Sequence, residues 1–295
     1  MSNTSRRNML KTLAVGTLAA GVSPLSAIAN EDKTMSKLRG NINHSVCQWT
    51  FGKVPLEELC TVVKKMGLKA IDLLAPKDWP VIQKHGITCS MCYIPGKVSL
   101  TDGFGEKKFH PGLIKDFEEG IPLVAKAGYK NLICFSGNRR GMDDETGLNN
   151  CVKGLKKLLP LAEKNKVVLV MELLNSKRDH KDYLCDHTAW GVELCKRLGS
   201  ENFKLLYDIY HMQVDEGNVI QNIRDNHQYI AHYHTAGVPG RNELNDKQEL
   251  YYPAIMNAIV ATGFKGHVAQ EFIPTGKTDK ERFKALEDAV RVCDV

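Results

Sequence analysis

From about residue 40 to its end the chain repeats one pattern eight times: a short apolar run of strand length, then a longer segment with apolar residues at helical spacing. The expected strands cover 42–49, 69–74, 87–93, 131–136, 167–174, 203–208, 229–235 and 266–272. The expected helices cover 55–66, 79–85, 111–127, 145–165, 187–198, 219–226, 252–262 and 280–292. Pro55 stands in the first turn of the first helix, where its missing N–H is an orphan in any case. Gly128, Gly199 and Gly263 follow three of the helices as C-terminal stops. Strict alternation of strand and helix implies a parallel sheet with helical crossovers. Eight such units imply a closed α/β barrel, the (β/α)8 TIM barrel. An open doubly wound sheet is the competing architecture, but no glycine-rich phosphate fingerprint follows the first strand.

A single barrel of this kind runs to about 250 residues, so one barrel and a short extension account for the 295 present. The extension is N-terminal. Ser5-Arg6-Arg7-Asn8-Met9-Leu10-Lys11 is a twin-arginine block, followed by the apolar stretch 12–22 and by Ala27-Ile28-Ala29, the A-x-A form of a signal-peptidase site. The expected organisation is a signal at 1–29, a linker at 30–40 and a catalytic barrel at 41–295. The address is the periplasm, or another exported location, with no membrane contact once the signal is removed. No apolar run reaches the roughly 18 residues of a spanning helix. The net charge of +6 falls to about +3 once Arg6, Arg7 and Lys11 are removed with the signal. That weak, scattered charge argues against nucleic acid as a partner. Of nine cysteines, most fall in apolar segments and read as small buried hydrophobes. Cys89 and Cys92 are separated by two residues but lie in an expected strand rather than on a redox loop.

Four strands close on a residue that can ligate a cation. Glu172 ends Val-Val-Leu-Val-Met-Glu, Asp208 ends Phe-Lys-Leu-Leu-Tyr-Asp, His234 ends Tyr-Ile-Ala-His-Tyr-His, and Glu271 ends His-Val-Ala-Gln-Glu. The intervals are 36, 26 and 37 residues, each about one strand–helix unit. In a parallel barrel the C-terminal strand ends converge on one mouth. Taken singly, each residue reads equally well as a solvated edge or a helix cap. Together, three carboxylates and an imidazole on one rim repel unless a cation holds them. Three oxygens and one nitrogen suit Mn²⁺, Mg²⁺ or Co²⁺ better than Zn²⁺.

Several stretches are similar to the hydroxypyruvate isomerase family, within the xylose isomerase-like TIM barrels that include the ketose 3-epimerases. They are Met171-Glu172-Leu173-Leu174-Asn175, Tyr207-Asp208-Ile209-Tyr210-His211, Gly237-Val238-Pro239-Gly240-Arg241-Asn242-Glu243, Gln248-Glu249-Leu250-Tyr251-Tyr252-Pro253 and Gln270-Glu271-Phe272-Ile273-Pro274. The resemblance implies that Glu172, Asp208, His234 and Glu271 hold the metal and that Glu172 and Glu271 are also the acid/base pair. It implies that His211, Arg241 and His180 contact substrate, and that the chain forms a homodimer or homotetramer. It departs at His234, where hydroxypyruvate isomerases resemble this chain but carry Gln, and where the sugar epimerases carry His.

The expected reaction is removal of a proton α to a carbonyl and its return to a neighbouring carbon, on a small hydroxy-carbonyl or sugar substrate. A hydride shift is disfavoured because no second carboxylate cluster is evident for a second metal. Asp179-His180 and Asp186-His187, in the loop after the fifth strand, are candidate substrate contacts or exposed loop residues. Trp49 and Tyr93 are candidates for a pocket wall, and His44 for core or rim. The competing functions are a sugar 3-epimerase, a metal-dependent dehydratase or lyase on a keto-sugar, an endonuclease of the endonuclease IV type, and a non-catalytic periplasmic sugar-binding protein.

Overall fold

The structure is a computed structural model and describes residues 37–94 and 99–295. The expected signal at 1–29 and the linker up to residue 36 lie outside the described residues. The strands are β1 (Asn43–Val46), β2 (Ala70–Ile71), β3 (Thr88–Cys89), β4 (Asn131–Cys134), β5 (Val168–Glu172), β6 (Phe203–Asp208), β7 (Ile230–Thr235) and β8 (His267–Gln270). All neighbouring pairs are parallel, in the order β1-β8-β7-β6-β5-β4, with β2 paired to β3. Parallel bridges at Cys47–Asp72, Leu74–Cys92 and Cys92–Leu132 continue the ladder from β1 through β2 and β3 to β4. The strands therefore close into a ring, the eight-stranded barrel expected from the alternation.

The helices are α1 (Leu56–Lys65), α2 (Trp79–Lys84), α3 (His110–Lys126), α4 (Asp144–Leu155), α5 (Leu159–Asn165), α6 (Thr188–Leu198), α7 (Ile209–Asp215), α8 (Val219–Asn226), α9 (Tyr252–Ala261) and α10 (Asp279–Cys293). The strands are buried along nearly their whole length because helices cover their outer faces. α4 packs on α6, and α8 packs on α9. All nine cysteines are buried and free, so they behave as the small hydrophobes their segments suggest.

Two helical expectations are corrected. The helix expected over 145–165 is two helices, α4 and α5, parted at 156–158. Pro160 has no N–H to continue the ladder and sits instead in the first turn of α5. α7 was not expected. It begins directly after β6 with no intervening loop, because the Asp208 side chain accepts the backbone N–H groups of Tyr210 and His211 at 2.8 and 3.2 Å and so caps the new helix. β2 and β3 are also shorter than expected. Beyond their two-residue ladders only single bridges continue the pairing.

Candidate metal centre and active site

Strand alternation builds the floor of the site. On β7, Tyr233 points outward against Phe264, with ring centroids 4.8 Å apart. His232 and His234, on either side of it, therefore point inward. β6 and β7 pair in a register that sets Asp208 beside His234, and the N–H of Glu271, one residue past β8, donates to the carbonyl of Thr235 at 2.9 Å. Glu172 closes β5. The four residues named from the strand ends are thus brought together, all buried, with one ligating atom of each within 4.8 Å of the others. His234 Nδ1 lies 2.9 Å from Glu271 Oε2, 3.4 Å from Glu172 Oε1 and 4.0 Å from Asp208 Oδ2. It has hydrogen-bond alignment with none of them.

Burial and crowding divide the carboxylates. Burial pushes Asp208 up to about 8, against the pull of Arg241 and His234. Burial, with the like charge of Glu271, also raises Glu172. Glu271 goes the other way. Burial would raise it, but His234, Arg241 and the Trp49 indole hold it well below the usual carboxylate range. His234 is raised well above an ordinary imidazole, because Glu271, Cys47 and Asp72 outweigh burial. The cluster therefore demands positive charge. Three buried carboxylates converge on one unaligned ring nitrogen, and that donor set fits a divalent cation with oxygen and imidazole ligands.

Arg241 reaches this cluster from the loop after β7. Its Nη2 lies 3.2 Å from Asp208 Oδ2 and donates to Glu271 Oε2. Its guanidinium also lies over the rings of Trp49 and Tyr210, 5.4 Å from each centroid. The loop holds Arg241 in the left-handed region at φ 58°, a conformation that persists only where the surroundings over-determine it. They do so here. Gly237 N–H donates to the Asn242 carbonyl at 2.8 Å, Arg241 N–H to the Gly237 carbonyl at 2.9 Å, and Ile273 N–H to the Arg241 carbonyl at 2.7 Å. A Cβ on Gly237 would lie 2.5 Å from the Glu243 carbonyl oxygen, so only glycine fits that crossing.

His211 stands on α7, fully buried. Asn175 Oδ1 accepts the N–H groups of Arg178 and Asp179 at 3.1 and 3.0 Å, which fixes its amide orientation. Its Nδ2 then faces His211 Nδ1 at 2.6 Å and must donate to it. His211 consequently carries its proton on Nε2, which lies 3.5 Å from Asp208 Oδ2 and has no hydrogen-bond partner among the described residues. Burial, then Arg241, keeps this ring neutral. His180 stacks edge-on against His211, with centroids 5.1 Å apart. His180, Tyr210 and Arg241 line a cavity of about 740 Å³ together with Arg178, Val238 and Ile273. The three residues expected to meet substrate are therefore grouped at one mouth.

Other candidates fall in different places. Trp49, exposed in the turn after β1, donates its indole N–H to Glu271 Oε1 at 2.8 Å. It therefore holds a site residue. Asp186 and His187 pair with each other at 2.8 Å and form a separate group with Asp215. Two further groups of ligating type are thus present among the described residues where none was expected, this one and Cys47, Asp72 and His234, which shares its histidine with the four-residue cluster. Asp215 is already engaged by the N–H groups of Ser176 and Lys177 at 2.7 and 3.2 Å. His44 lies at the start of β1 beside Asp294, at 3.6 Å, and belongs to the opposite end of the strand. The sequence reading missed Asp72, whose carboxylate reaches His234 Nε2 at 2.8 Å. In the sequence it stands inside the expected strand 69–74, with Leu73, Leu74 and Ala75 after it, so no strand end marks it.

These features define a parallel barrel with a carboxylate–imidazole centre at the C-terminal ends of its strands. The xylose isomerase-like TIM barrel family matches residues 60–292, and the chain belongs to that family. Among curated proteins it is 28% identical over 235 residues to a Homo sapiens protein described as "Putative hydroxypyruvate isomerase", covering 78% of this chain and 79% of that one. It is 33% identical over 112 residues to a 2-oxo-tetronate isomerase of Cupriavidus necator, covering 38% and 42% of the two chains. Among solved structures it is similar to D-psicose 3-epimerase with D-tagatose from Clostridium cellulolyticum H10, with a TM-score of 0.72, 16% identity, and coverage of 85% and 98%. That last likeness shows the shared fold. The relatives are named as isomerases and an epimerase, which supports an isomerase-type enzyme.

Proposed function

We propose that the chain interconverts an α-hydroxy aldehyde and a ketone of a small, anionic hydroxy-carbonyl substrate, of the hydroxypyruvate or 2-oxo-tetronate class. The observation that carries this reading is the convergence of Glu172, Asp208, His234 and Glu271 on one buried point, reached by Arg241 from a cavity that Arg241 and His180 line, with His211 buried behind His180. Glu172, Asp208, His234 and Glu271 would hold a divalent cation, with Mn²⁺, Mg²⁺ or Co²⁺ favoured over Zn²⁺ by the three oxygen donors. That cation supplies Lewis-acid polarisation of the substrate's carbonyl and hydroxyl oxygens.

The chain's own groups do the rest. Glu172 and Glu271 stand on either side of His234 and are the proton-transfer pair. Glu271, held ionised by His234, Arg241 and Trp49, is suited to take the proton from the first carbon. Glu172, raised by burial, is suited to carry a proton and deliver it to the neighbouring carbon. His211 presents an unpartnered N–H to a substrate oxygen, and Arg241 binds the carboxylate end. The twin-arginine stretch supports an exported enzyme, and the family resemblance supports a homodimer or homotetramer.

A second reading, a sugar 3-epimerase, is favoured by one residue, the histidine at 234. A single experiment separates the two and tests the first. Protein loaded with Mn²⁺ is incubated in deuterated buffer with hydroxypyruvate, a 2-oxo-tetronate or a ketohexose, and the products are followed by NMR. The proposal predicts the aldehyde or ketone isomer of an acid substrate with deuterium on the carbon that receives the proton. Inversion at C3 of the ketohexose alone would establish the epimerase. Net loss of water would establish a dehydratase and overturn both.

A further inference from the structure

We infer that Asp72 is a positioning residue that fixes the ring of His234 so that its Nδ1, and not its Nε2, faces the cation. The inference rests on the reading of the metal centre given above. Asp72 follows β2 and is fully buried. Between β2 and β7 lie β1 and β8, so its side chain meets β7 across the barrel interior. Its Oδ2 lies 2.8 Å from His234 Nε2 and 3.1 Å from His232 Nε2. Its Oδ1 accepts the hydroxyl of Ser90, which in turn lies 2.6 Å from the hydroxyl of Ser45. Cys47 turns its thiol toward the same Oδ2 at 3.6 Å. No lysine or arginine pairs with Asp72 among the described residues; its ion-pair partners are the two imidazoles.

An ionised carboxylate only accepts hydrogen bonds. Each ring nitrogen facing Asp72 must therefore carry a hydrogen, which assigns both histidines an Nε2–H. For His234 this leaves Nδ1 turned toward Glu172, Asp208 and Glu271. Rotating the ring would take the N–H away from a buried charge and the Nδ1 lone pair away from the cation site, so the geometry is held from both sides. His232 has the same anchor but its Nδ1 meets no polar partner among the described residues. It serves as a second donor that helps to offset the buried charge. A carboxylate behind a ligating imidazole sets its tautomer and makes its free nitrogen a stronger donor, and loss of such a partner commonly weakens metal binding about 10–100-fold.

The test compares the unaltered full chain with Asp72→Asn. Mn²⁺ titration calorimetry is expected to show a 10–100-fold weaker dissociation constant for Asp72→Asn with an unchanged circular dichroism spectrum. ¹⁵N NMR of the unaltered chain with Zn²⁺ is expected to show His234 protonated at Nε2 and shifted by the metal at Nδ1. Asp72→Asn binding Mn²⁺ as tightly as the unaltered chain would overturn the inference. So would an Nδ1–H tautomer in the Zn²⁺ complex, and that readout decides even where Asp72→Asn does not fold. If the unaltered chain itself fails to bind Mn²⁺, the metal-centre reading falls, and the inference falls with it.

Discussion

His234 and His211 face Asp208 from two sides, and each is held through one ring nitrogen by a single buried side chain. The holders differ. Behind His234 stands the carboxylate of Asp72, which accepts. Behind His211 stands the amide nitrogen of Asn175, which donates. The nitrogen left over on His234 is therefore a lone pair available to a cation, and the one left over on His211 is an N–H available to an oxygen. Charge follows the same division. The carboxylates around His234 raise its affinity for positive charge, whereas burial and Arg241 keep His211 neutral. Two identical side chains thus take opposite roles because of what lies behind them.

The contrast can be broken at its strongest point by His234→Ala. Mn²⁺ affinity should fall by more than about 100-fold, beyond the range for loss of a supporting partner, and turnover should vanish as it does when a chelator strips the metal. Calorimetry and activity assays check this, and retained Mn²⁺ affinity would remove His234 from the ligand set. Glu172→Gln should keep the fold and lower kcat by about 10²–10⁴, the usual contribution of a positioned proton carrier. A change in KM alone would place Glu172 in binding only.

His211→Gln sharpens the comparison from the other side. The loss of one hydrogen bond to a charged or polarising oxygen is worth about 1.5–3 kcal/mol, which is about 10–150-fold in kcat/KM. Mn²⁺ affinity should stay within about twofold. A matching loss of metal affinity would make the two histidines equivalent and contradict the assignment.

The smallest effect is in pH. Asp208 is raised to about 8 and Glu172 is raised too, whereas Glu271 is held low. In protein stripped of metal, Asp208 is protonated below about pH 8, and cation binding must displace that proton. Mn²⁺ affinity should therefore weaken as pH falls through about 8, by up to about tenfold per unit for each proton released, and the raised His234, which must also give up a proton to bind through Nδ1, steepens the dependence. Titrations in buffers of different ionisation heat would detect the release. An affinity that is flat from pH 6 to 9 would mean that the carboxylates are already ionised.

The floor of the site was legible in the sequence because strand alternation and the barrel leave little choice. A ligating residue that closes an apolar run must arrive at the mouth, and Glu172, Asp208, His234 and Glu271 all do. Asp72 breaks that rule, because Leu73, Leu74 and Ala75 continue the apolar run beyond it and no strand end marks it, although His232 and His234, two apart, already place two rings in the interior. α7 was hidden for a different reason. Asp208 both ends a strand and caps a helix, so no polar loop marks the boundary. The rim was legible only through resemblance. The left-handed backbone at Arg241 and the amide orientation of Asn175 depend on hydrogen bonds between residues far apart in the chain, and no local pattern records them.

The most direct test of the metal centre is anomalous diffraction from crystals of the full chain grown with Mn²⁺ and measured at the manganese edge. The account predicts one dominant peak within bonding distance of Glu172, Asp208, His234 Nδ1 and Glu271. A map with no peak there, or with its dominant peak at Asp186, His187 and Asp215, would contradict it.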